Sequence, residues 1–166
     1  YYISPQVWAW RPGRIKLIKA VTERVLVIFP FEEAVYRQAD VPVQFVGHPL
    51  VDLVHAHPPR AEFLARLGLD PSAPVVGMLP GSRTSELRRI LPTLADAAQR
   101  VRARVPGVQF VFARAPHLDD RLFGPAHALA GAAIVEGEPD AVLAASDVVL
   151  TASGTATVQA ALHDRP

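Results

Sequence analysis

Apolar residues fall along this chain in two alternating rhythms: short unbroken runs, and longer stripes at spacings of three and four. Val25-Leu26-Val27-Ile28-Phe29 is a continuous run of strand length, suited to a parallel strand covered on both faces. Similar runs predict strands over 43–46, 75–79, 109–113, 133–135 and 148–150, while Tyr1–Ile3 reads as the end of another. Between them the period changes. Ile15, Leu17 and Ile18 alternate with Lys16 and Lys19 in a short helical segment, and 32–39 reads as a helix with acids in its first turn. A helix over 60–67 is ended by Gly68, with Asp70-Pro71-Ser72 as a turn. From 86 to 105 a stripe runs through Leu87, Ile90, Leu91, Leu94, Ala98, Val101 and Val105, where Pro92 predicts a kink or a break. Residues 118–129 form a weaker helical pattern interrupted at Gly124-Pro125; 140–145 and 156–162 are the last two helices.

Strand and helix alternate throughout, which implies an α/β fold with a parallel sheet and right-handed crossovers. Ligands on such sheets bind beyond the carboxyl ends of the strands. A composition shift at 52–59, with His55, His57 and a Pro-Pro pair, marks an extended connection. The expected division is a domain over 1–52, a linker over 53–59 and a second domain over 60–166. Both ends read as cut, so the chain is expected to be an internal segment, inactive by itself.

Two strand-to-helix corners carry the candidate chemistry: Pro80-Gly81-Ser82-Arg83, and Ser153-Gly154-Thr155-Ala156. Each sets glycine, hydroxyls and free N–H groups at a helix start, where unpaired donors and the positive end of the helix dipole suit a phosphate. Either corner alone is also what an ordinary N-cap looks like. Glu86 could close a capping box at the first corner. Arg83 opposes the dipole there, and makes better sense with an anion present. Two corners in one sheet suggest a nucleotide diphosphate site.

Bulk properties narrow the rest. The chain has 166 residues, is half hydrophobic and carries a net charge of +1, which points to neither disorder nor a nucleic-acid partner. With no cysteine there are no disulfides or thiolate metal sites. The six histidines lack the spacing of a metal site, so no metal is expected; His48, at a strand end beside Gly47 and Pro49, is either a cleft residue or a structural one. The stretch Trp8-Ala9-Trp10-Arg11, followed by Arg14, Lys16 and Lys19, has three readings: a core-anchoring aromatic loop, a site for an acidic acceptor, or a surface for anionic lipid headgroups.

Taken in order, four pieces resemble the lipid-A-disaccharide synthases, glycosyltransferases of Gram-negative lipid A biosynthesis. They are Tyr2-Ile3-Ser4-Pro5-Gln6-Val7-Trp8-Ala9-Trp10-Arg11, Phe45-Val46-Gly47-His48-Pro49-Leu50-Val51-Asp52, Leu79-Pro80-Gly81-Ser82-Arg83 with Glu86, and Ala152-Ser153-Gly154-Thr155-Ala156-Thr157. The resemblance implies a GT-B fold of two Rossmann-like domains, here the end of the acceptor-side domain and most of the nucleotide-sugar donor domain. It implies joining of UDP-2,3-diacylglucosamine to 2,3-diacylglucosamine 1-phosphate with inversion, giving a β-1,6 disaccharide and UDP without a cofactor. On this reading Arg83 stabilises the leaving group, with Gly81, Ser82, Glu86, Ser153, Gly154, Thr155 and Ala156 around the diphosphate. Val135, Glu136 and Gly137 would lie near the uracil, and Trp10, Arg11 and His48 on the acceptor side. The resemblance also implies a cytoplasmic enzyme at the inner membrane face.

The chain departs from the family pattern at Gln159, where a glutamate usually binds ribose hydroxyls; an amide can still accept and donate. The aspartate expected as general base belongs before Tyr1. A UDP-N-acetylglucosamine 2-epimerase-like isomerase shares the Gly-His-Pro boundary but has no use for the Trp8–Arg11 segment. A non-catalytic UDP-binding module is the third reading, favoured by Gln159.

Overall fold

The computed structural model describes residues 1–54 and 57–166. Its backbone divides into two compact units, Tyr1–Leu53 and Val54–Pro166. In the first, β1 (Val25–Val27) and β2 (Val43–Phe45) pair in parallel, with Val25 opposite Val43. Around them lie α1 (Val7–Trp10), α2 (Arg14–Val21), α3 (Pro30–Gln38) and α4 (Leu50–Leu53). Val7, Ile15, Val25, Val27, Tyr36 and Val41 form the core. β1 stops two residues before the end of its apolar run because Pro30, with its fixed φ and no N–H, opens α3. Glu32, buried in the first turn of α3, accepts from the Phe29 N–H at 3.1 Å and from Trp8 Nε1 at 3.1 Å. That bond anchors Trp8. The aromatic segment is therefore a short helix rather than a loop. Tyr1–Ile3 forms only a single parallel bridge, Tyr2 to Leu26.

The second unit holds a parallel sheet of β3 (Val75–Leu79), β4 (Gln109–Arg114), β5 (Ala132–Glu136) and β6 (Val148–Thr151), in the order β5-β4-β3-β6. Its helices are α5 (Arg60–Arg66), α6 (Thr84–Arg102), α7 (Gly124–His127), α8 (Pro139–Ala145) and α9 (Thr155–Leu162), with a 3-10 turn at Asp120–Phe123. Alternate strand residues feed two cores, as the two-residue period requires. Val75, Leu79 and Val111 join Phe63, Leu64, Val142 and Leu143 on one face. Met78, Phe110 and Phe112 join Leu87, Leu91 and Phe123 on the other. Gly77 has no side chain because Ser146 fills its place: a Cβ there would lie 2.5 Å from Ser146 Oγ.

The chain steps outward from β3 to β4 and β5, then returns to add β6 on the far side of β3. The order reverses between β3 and β6, and this is where an α/β sheet opens a crevice beyond its strand ends. Both glycine corners follow these two strands. The Ala152 N–H donates to Leu79 O at 2.8 Å, tying the corners together at their base.

Of the kink or break expected at Pro92, the break is absent: α6 runs unbroken through it. Leu87, Leu91, Ala95 and Ala98 are all buried on one face, so packing on both sides of the proline holds the helix together where one N–H is missing. Val105 lies past the helix end. The weaker pattern over 118–129 is divided at Gly124, as expected: Asp119 accepts from the Arg121 N–H at 2.9 Å and starts a 3-10 turn, after which α7 opens with Pro125 in its first turn. Among the described residues, no helix is long and apolar enough to cross a membrane.

Candidate functional site

A cavity of about 440 Å³ opens at the carboxyl ends of β3, β4 and β6, at the reversal point of the sheet. Its first wall is the corner after β3. Gly81 there has φ +109°, and a Cβ would stand 2.7 Å from Glu86 Oε2, so both conformation and space demand glycine. Glu86 reaches back from the first turn of α6, and its Oε2 accepts from the Ser82 and Arg83 N–H groups, each at 3.3 Å. Its other oxygen pairs with the Arg83 guanidinium, which is otherwise exposed. That guanidinium above all, together with the two N–H groups, holds the Glu86 carboxyl below its ordinary value against the opposing effect of desolvation.

The anion that Arg83 calls for at a helix start is thus present, and it is Glu86. This corrects the expectation of free amides at Ser82 and Arg83, while the Gly81 N–H meets no acceptor among the described residues. His117 Nε2 bonds to Ser82 O at 2.7 Å and braces the same corner.

The second wall is the corner after β6. Gly154, at φ +155°, leads into α9 with no side-chain cap. The Thr157 hydroxyl donates to Gly154 O at 2.6 Å. Among the described residues, nothing accepts from the N–H groups of Gly154, Thr155 and Ala156. They are exposed or half-buried donors at the positive end of an eight-residue helix. Three free donors of the cavity therefore stand at this corner, among the described residues.

The third wall comes from Ala113–Pro116, Gly137 and Pro139. The Gly137 N–H donates to Arg114 O at 3.0 Å. Arg114 donates through one amino group to Leu118 O at 3.0 Å and pairs through the other with Glu136, while its buried Nε makes no hydrogen bond among the described residues and lies 3.7 Å from Asp120 Oδ1.

Comparison with known proteins adds to this geometry. The profile of the family described as lipid-A-disaccharide synthetase matches residues 1–166. The chain belongs to that family. Curated relatives named lipid-A-disaccharide synthase include those of Geobacter metallireducens, 46% identical, and of Geobacter sulfurreducens and Myxococcus xanthus, each 44% identical. Each comparison covers 100% of this chain and 44% of the relative, so the chain spans less than half their length.

Of the site residues expected from the sequence, the cavity brings together Gly81, Ser82, Arg83, Glu86, Gly137, Ser153, Gly154, Thr155, Ala156 and Gln159. Val135 and Glu136 are not among them: Val135 is buried in the core, and Glu136 turns to Arg114. Trp10, Arg11 and His48 lie in the other unit. There Trp10 is 65% exposed, with the Arg11 guanidinium 5.2 Å from its ring centroid. His48 Nδ1 accepts from the Leu50 N–H at 3.2 Å, which starts α4 and gives the ring a structural task. His55 lies outside the described residues. Sequence reasoning missed Arg114, Pro116, His117 and Pro139. The signal for them was available, since 114–117 follow one recognised strand and Pro139 follows another, at the same end of the sheet as both corners.

Proposed function

We propose that this chain forms the nucleotide-sugar-holding part of an inverting glycosyltransferase. The reaction joins UDP-2,3-diacylglucosamine to 2,3-diacylglucosamine 1-phosphate and releases UDP. The observation that carries this reading is the pair of corners on one cavity, with unpaired amides at the start of α9 and Arg83 across from them. The names of the curated relatives support the substrate class. Breaking the bond between the anomeric carbon and the diphosphate oxygen leaves negative charge on that oxygen, and preorganised N–H donors stabilise it best where water is excluded. The Thr155 and Ala156 amides take the diphosphate, and Arg83 turns from Glu86 to the departing phosphate. The acceptor hydroxyl gives its proton to a carboxylate, assigned to the aspartate that the resemblance puts before Tyr1. Residues 1–52 serve the acceptor side, and residues from 60 onward the donor side.

Calorimetry with UDP on the intact protein tests the site. Arg83→Ala should weaken UDP binding about tenfold, the loss of one charge-assisted contact, with the melting temperature unchanged because an exposed ion pair stabilises little. Unchanged affinity would remove Arg83 from the site.

The reading extends to a peripheral position on the cytoplasmic membrane face, through α2. Arg14, Lys16 and Lys19 there accompany exposed Leu17 and Val21. Reversing the three charges should lower co-sedimentation of the intact protein with anionic vesicles; equal sedimentation would clear α2 of that role.

A further inference from the structure

Gln159 lines the cavity, and its amide is not free to present either end. Gln159 and His163 are four residues apart, which sets them on one face at the end of α9. Both reach the same atom. Gln159 Nε2 donates to Asp140 Oδ1 at 3.5 Å, and His163 Nε2 meets that oxygen at 3.0 Å. Asp140 stands in the first turn of α8, where the helix dipole favours a carboxylate. The His163 side chain is only 5% exposed, so the pair is held in place by packing as well as by hydrogen bonding.

A carboxylate only accepts, whereas a glutamine amide offers a donor at one end and an acceptor at the other. Asp140 therefore fixes the amide with its NH₂ group inward. Oε1, which meets no donor among the described residues, is left for the cavity.

We infer that Asp140 and His163 are positioning residues that make Gln159 an acceptor toward the ligand. This rests on the nucleotide-binding reading above. Gln159 lies one helical turn from the Thr155 and Ala156 amides, about 6 Å along the axis. With a diphosphate on those amides, the donors that fall within reach of Oε1 are hydroxyls of the adjoining nucleoside sugar. The network thus selects a ligand carrying hydroxyl donors there.

Calorimetry on the intact protein with UDP and with 2′,3′-dideoxy-UDP reads this directly, and a thermal melt of each variant checks its fold. The wild type should prefer UDP by about 3- to 10-fold, the worth of one hydrogen bond. Asp140→Asn should remove that preference while leaving dideoxy-UDP affinity unchanged, because the asparagine no longer forces the amide one way. Adding Gln159→Glu should restore it, since a carboxylate accepts through either oxygen. His163→Leu, which frees Asp140 on one side, should reduce the preference in part and gives a second route if Asp140→Asn melts early. A preference that survives both substitutions overturns the inference, as does an equal loss for both ligands or a failure of Gln159→Glu to restore it. Equal binding of the two ligands by the wild type sinks this inference alone. No binding of either sinks the nucleotide reading, and this inference with it.

Discussion

Gly77 and Gly81 lie a few residues apart, and each lacks a Cβ for a different neighbour. At Gly81 the neighbour is Glu86, whose carboxylate occupies the space, and the requirement belongs to the site. At Gly77 it is Ser146, and the requirement belongs to the core: Ser146 is fully buried, with Oγ donating to Val142 O at 2.6 Å. Gly77→Ala should accordingly destabilise the second unit by about 1–3 kcal/mol, the usual range for overpacking. A lower denaturation midpoint with unchanged slope would be the mark of it. Neither neighbour was legible in the sequence, where Gly77 reads as a gap in an apolar run and Gly81 as the glycine of a candidate phosphate corner. The identity of the partner residue depends on tertiary approach, which no local pattern encodes. Glu86 is the same lesson reversed. Its position suited a capping box, but only the structure shows that it holds both corner amides and Arg83.

Between elements, the second unit is fastened at the start of α5. The Arg60 guanidinium donates to Asp147 Oδ1 at 3.1 Å and Oδ2 at 3.0 Å, and also to Ala73 O at 3.0 Å. Asp147 Oδ2 in turn accepts from the Val75 N–H at 2.8 Å, at the first residue of β3. Burial alone would raise the Asp147 pKa, but the Val75 N–H and the Arg60 guanidinium outweigh it and hold the carboxyl below 3.8. A carboxyl lowered by folding contributes stability above its unfolded value, and loses it as pH falls through the folded one. Asp147→Asn should therefore flatten the acid limb of a stability-against-pH curve below about pH 4, and cost about 1 kcal/mol at neutral pH, since half of the side chain is exposed. The elements themselves were mostly legible. Apolar runs and stripes placed all four strands of the second sheet, because both faces of that sheet are covered and a buried strand must be continuously apolar. Signals competed at Pro92, where the well-packed stripe keeps the helix unbroken, and over 118–129, where the Asp119 cap turns the first part of the pattern into a 3-10 turn.

For the whole molecule, the division of the apolar cores follows the division of the backbone: one core lies within Tyr1–Leu53 and two within Val54–Pro166. The alternation of strand and helix made the parallel architecture readable, but not the strand order, and it is the order β5-β4-β3-β6 that brings two distant corners onto one cavity. The unpaired N–H groups at the start of α9 carry a consequence for the unliganded protein in solution. The Thr155 and Ala156 amides should exchange with deuterium almost as fast as those of an open chain. The Ala152 N–H, a few residues earlier and held by Leu79 O, should remain protected. Saturating UDP should close that contrast, slowing Thr155 and Ala156 and leaving Ala152 as it was, so that the residues meeting the phosphate report their own occupancy, amide by amide.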